Sequence, residues 1–223
     1  MTETKTIKEL KTILNKKNIE LNRAQLDIFR QAPVNHIDHF NIAIEQMAHS
    51  NINAFILLSE QKRHLAAMGI IRMHLDCLLK LFSTFIIFPR ETWISSLLYT
   101  DEELWKKKIS INNKKQPITD KFLCEQLELQ GDFSNAQKIY NDSSKFIHPS
   151  KFHFSSALKE WIELPNKEIK WSTEINIMGI VELENELIKK NYILMLEITN
   201  NIIKYIKITK SPNNFKQYKL ISL

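Results

Sequence analysis

The stretch "AAMGIIRMHLDCLLKLFSTFIIF", residues 66–88, constrains the fold more than any other part of the chain. It is apolar almost all round at helical spacing, and a helix without a polar face belongs at the centre of a bundle. Stepping ~100° per residue places Ile71, Leu75, Leu78, Leu79 and Phe82 on one side. Pro89 ends the run. Its most apolar part, Leu81 to Phe88, is too short to cross a bilayer.

The remaining sequence is compatible with helices around that centre. Three glycines argue against Gly-rich phosphate loops and tight-turned all-β folds. A chain of 223 residues suits one domain with a short appendage. The expected fold is therefore an all-α helical bundle with a small β-hairpin. Residues 1–32 are expected as an N-terminal helical arm and 33–223 as the bundle domain. Helices are expected over 4–17 and 23–31, then from Ile37 to Phe88 with a break at "HSNIN". A helix at 91–110 and a Lys/Asn-rich loop to Ile118 follow, then a helix opening at Thr119 or Asp120. Another helix is expected over 133–147. Alternation at Ile169, Trp171, Thr173 and Ile175 predicts a hairpin within 160–176, before a long amphipathic helix over 178–208.

Two polar lines run through these apolar surroundings. Arg72, Asp76 and Lys80 are each one helical turn from the last. Charges on so apolar a helix are costly to bury unless paired, and Arg72 and Asp76 at i,i+4 can satisfy one another. That pair is either a directional charged patch or a structural ion pair fixing helix register. In "YNDSSKFIHPS", Tyr140, Ser144 and His148 are spaced i, i+4, i+8, beside a core-facing strip of Ala136, Ile139, Ser143 and Ile147. Pro149 disfavours helix at His148, so the imidazole sits on the last turn, as a titratable group or as a cap on a backbone carbonyl.

Other features are less directive. The formal charge of +6 suits a polyanion such as RNA, yet the joint over-use of Lys, Asn and Ile also follows from AT-rich coding. Lys106, Lys107, Lys108, Lys114 and Lys115, beside Trp105, form the densest basic patch, which either tracks a phosphate backbone or is a solvated loop. "HIDH" pairs His36 and His39 around Asp38 without a further ligand nearby, so no metal or cofactor is expected. Cys77 and Cys124 read as buried free thiols, and Trp93, Trp161 and Trp171 as core or hairpin packing. The charged N-terminus has no apolar core, and a cytoplasmic protein without membrane contact is expected.

"AAMGIIRMHLDCLLKLF", "ITDKFL" and "YNDSSKFIHPS" together, in that order, resemble signatures of a bacterial branch of the HEPN-like superfamily. The resemblance runs from about Phe55 to Phe154. It implies a helical bundle that often dimerises, and an effector of anti-phage defence, abortive infection or toxin type. Such effectors act on RNA or nucleotides by metal-independent chemistry, often with a partner protein from the same operon. The family's signature is an Arg, four to six residues, then a His. His148 matches the histidine, whereas the arginine positions hold Asn141, Asp142 and Ser143, so the signature is incomplete and the enzyme assignment stays open. The implied site is His148 as acid or base, Arg72 as the cation, Asp76 orienting one of them, and Tyr140 or Ser144 positioning a phosphate. The alternative is a non-catalytic module that binds a ligand or partner in the same pocket.

Overall fold

A computed structural model describes residues 5–29, 35–99, 108–111, 114–131, 133–144, 161–163, 169–171, 185–209 and 221–222. These form seven helices: α1 (Ile7–Phe29), α2 (His36–Glu60), α3 (His64–Ile86), α4 (Arg90–Tyr99), α5 (Asp120–Leu129), α6 (Ala136–Ser144) and α7 (Asn185–Thr209). The class is all-α. Short strands occur only in pairs: β1 (Ile87–Phe88), β2 (Lys108–Ile111), β3 (Lys114–Pro117), β4 (Trp161–Glu163), β5 (Ile169–Trp171) and β6 (Ile221–Ser222).

The central position of α3 follows from its composition. Ile71, Leu75, Leu78, Leu79 and Phe82 are all buried, and α2, α5, α6 and α7 pack around it. Phe82 and Phe85 meet Tyr205 of α7, while Phe55 of α2 meets Tyr192 edge-on at 5.0 Å. Such ring pairs add roughly 0.5–1.5 kcal/mol each beyond burial. Cys77 and Cys124 are buried free thiols, and Trp93 is a core residue whose indole N–H donates to Ser83 Oγ at 2.8 Å.

Several boundaries differ from expectation. The N-terminal segment is one helix, not two: Leu10, Leu14, Asn18 and Leu21 make a continuous buried stripe against α2 and α7, with no Pro or Gly to interrupt it. The helix through "HSNIN" does not break. His49 and Asn53 are docking groups for α1: Asn18 Nδ2 donates to Asn53 Oδ1 at 2.9 Å, Asn53 Nδ2 meets His49 Nε2 at 3.0 Å, and His49 Nδ1 meets Asn18 Oδ1 at 2.9 Å. The ring closes with every member donating once and accepting once when the His49 proton is placed on Nδ1. The chain turns instead at Gln61–Arg63, where Lys62 takes φ 56°.

The helix expected over 91–110 is described only as α4, to Tyr99, and Lys108–Ile111 is a strand. It pairs antiparallel with Lys114–Pro117, so the Lys/Asn-rich segment is a hairpin rather than a loop; β-branched Ile109 and Ile111 alternate along β2. The second hairpin lies where expected, with Trp161 opposite Trp171. At the far end of the chain β6 lies parallel to β1, pairing Ile87 with Ile221. None of the described helices is long and apolar enough to cross a membrane.

Candidate functional site

Arg72 is the organising residue. It lies on the α3 face that meets α5 and α6, with a side chain only 7% exposed. Nη1 donates to Asp76 Oδ1 one turn along, and Nη2 donates to Asp120 Oδ2 at 2.9 Å. The guanidinium carbon sits 3.9 Å from the centroid of the Tyr140 ring. Two carboxylates and one aromatic face thus hold a buried cation, which is the condition for keeping it charged in the interior.

Each partner is delivered by local sequence. Asp120 opens α5 immediately after Thr119, whose hydroxyl accepts from Phe122 N at 3.1 Å as the N-cap. A carboxylate in a helix's first turn is also favoured by the dipole. Tyr140 lies on α6 above the buried strip of Ala136, Ile139 and Ser143. Asp76 and Lys80 continue the α3 line from Arg72, as the spacing predicted.

These groups wall a cavity of about 520 Å³ bounded by residues of α2 to α6, among them Asp76, Lys80, Trp93, Thr119, Asp120 and Tyr140. Its electrostatics are unequal. Burial pushes the Asp76 carboxyl up to about 7; Arg72 and Lys80 oppose that rise, and Asp120 adds to it. Two carboxylates share one guanidinium, and the more buried one carries the penalty. Asp76 is therefore poised to exchange a proton near neutrality. Burial pushes the Cys124 thiol up to about 12, and Cys77 likewise, which disfavours the thiolate at both.

Of the expected site residues, the structure brings Arg72, Asp76 and Tyr140 together. Ser144 points its hydroxyl at its own helix, donating to Tyr140 O at 2.6 Å. His148, Lys106 and Lys107 lie outside the described residues; Lys108 lies on β2, and Lys114 and Lys115 on β3. His36 Nδ1 is 3.3 Å from the Tyr99 hydroxyl, and among the described residues no group of three His, Cys, Asp or Glu gathers. Sequence reading missed Asp120 as a site residue. Its signal was present: an acidic residue at a capped helix start, in a chain with a buried arginine needing more than one partner.

No family model, curated protein or solved structure matches the chain. What fold and site define is a helical bundle in which a buried arginine holds the two carboxylates and the tyrosine that line a mid-sized pocket.

Proposed function

We propose that the chain is a HEPN-like effector that acts on RNA or a nucleotide in the Arg72 pocket, in anti-phage defence, abortive infection or as a toxin. The observation that carries this reading is Asp76, a pocket-lining carboxyl raised to about 7 beside a fixed guanidinium. A base of that kind takes the proton from a ribose 2′-OH as its oxygen attacks phosphorus. The P–O5′ bond then breaks, and an acid protonates the leaving 5′-oxygen. We assign the acid to His148, four residues past Ser144 in the chain. Lys80, exposed at the pocket, offers charge to the phosphate oxygens. The reading includes a homodimer and a partner protein from the same operon. Met47 and Met73, about half exposed at the pocket, supply apolar contact area for either.

A second reading, a non-catalytic ligand- or partner-binding module, is favoured by the state of Arg72. Each terminal nitrogen already holds a carboxylate and one face carries Tyr140, which reduces what the guanidinium offers a phosphate. Incubation of RNA with the protein in EDTA separates the two. The effector reading expects cleavage that Asp76→Asn and His148→Ala each abolish. Retained RNA or nucleotide binding without cleavage gives the pocket to the second reading.

A further inference from the structure

A second pocket, about 700 Å³, lies where the start of α1, the α2–α3 turn and the start of α7 meet, and it shares no lining residue with the cavity beside Arg72. Its charge is one-sided. Lys8 and Lys11 enter from α1 and Lys62 from the turn, against Glu60 alone. Glu60 is taken by Lys11, and among the described residues Lys8 and Lys62 carry no ion pair. The same turn starts α3 with Arg63 as N-cap, which supplies no side-chain hydrogen bond. Among the described residues the amides of His64, Leu65 and Ala66 have no acceptor; the first intrahelical bond is Ala67 N to Arg63 O at 3.0 Å. The positive end of the α3 dipole is thus bare.

An independent observation points to a ligand. His64 is only 4% exposed and lines this pocket, yet its imidazole hydrogen-bonds to nothing. Its ring nitrogens are open to the pocket, where an incoming ligand can meet them. Burial and the Lys62 charge hold it below the usual histidine range, so one ring nitrogen is an N–H donor and the other is bare.

We propose that this pocket binds a phosphate-bearing small molecule, with Lys8, Lys62 and the His64 imidazole as the anion's ligands beside the start of α3. Ammonium groups and an imidazole around one pocket, next to a helix N-terminus, suit a tetrahedral dianion. Ile188 and Tyr192 of α7 give the same pocket an apolar wall, so the occupant is a phosphate monoester with an apolar or aromatic body. The site does not depend on what the Arg72 pocket does.

The test is NMR titration of the full chain with inorganic phosphate, with AMP, and with adenosine as the uncharged control. Saturable shifts at the Leu65 and Ala66 amides and the His64 ring are expected with phosphate and AMP, AMP binding more tightly. Adenosine is expected to leave them in place. Lys62→Gly removes one cation at φ 56°, a conformation glycine adopts freely, so the fold is retained and AMP affinity falls about tenfold. No saturable shift at millimolar phosphate or AMP overturns the proposal. So does equal response to adenosine, or affinity unchanged in both Lys62→Gly and Lys8→Gln.

Discussion

The Arg72 guanidinium packs on the Tyr140 ring at 3.9 Å, and this contact ties α6 to the central helix. The cation sees the ring's face, so the interaction belongs to the π-system and not to the phenol hydroxyl. Tyr140→Phe is expected to change stability by less than about 0.5 kcal/mol, whereas Tyr140→Leu costs about 1–2 kcal/mol. Urea unfolding of the two variants beside the wild type reads the difference. Equal losses would assign the role to the hydroxyl.

Asp76 links the site to folding. Its folded pKa, about 7, lies above its ordinary value of 3.8, so between those values the folded state binds more protons than the unfolded chain. The stability it contributes is full below about pH 4 and is lost as pH rises toward 7. The loss reaches as much as ~4 kcal/mol across that window. Denaturant unfolding at several pH values should show Asp76→Asn lacking this falling component. Parallel profiles for the two proteins would count against it.

His74 works in the opposite direction. It is fully buried, with Nε2 2.9 Å from Thr199 Oγ1, and that hydroxyl donates to Met195 O at 2.7 Å. Thr199 therefore accepts, the imidazole carries its proton on Nε2, and Nδ1 is left without a partner. Burial pushes its pKa down to about 3. Between 3 and 6.5 the unfolded chain binds the extra proton, so stability falls as pH drops through that range. His74→Leu removes the orphaned nitrogen and the acid-sensitive component together. Its acid-unfolding midpoint should move to lower pH, and an unmoved midpoint would release His74 from that role.

The fold was legible where one signal dominated. Ile71 to Phe82 spelled a buried helix, and Thr119 before Asp120 spelled a helix start; both stand in the structure. "HSNIN" misled because His, Ser and Asn favour breaks locally, whereas here His49 and Asn53 meet Asn18, over 30 residues away, and that contact outweighs propensity. The turn at Lys62 carried no Gly, Pro or Asn to announce its left-handed backbone. Of Arg72's two carboxylate partners only one was legible, for a related reason. The partner one turn away, Asp76, follows from helical spacing, while Asp120, 48 residues on, depends on how α5 docks.

Asp76 titrates near neutrality because its burial outweighs the Arg72 charge, which it shares with Asp120. Carbon-detected NMR of the Asp76 side chain across pH 3 to 9 measures this directly. A midpoint near 7 is expected, falling in Asp120→Asn because Asp120 helps to raise it. A midpoint close to the ordinary 3.8, unmoved by Asp120→Asn, would contradict it.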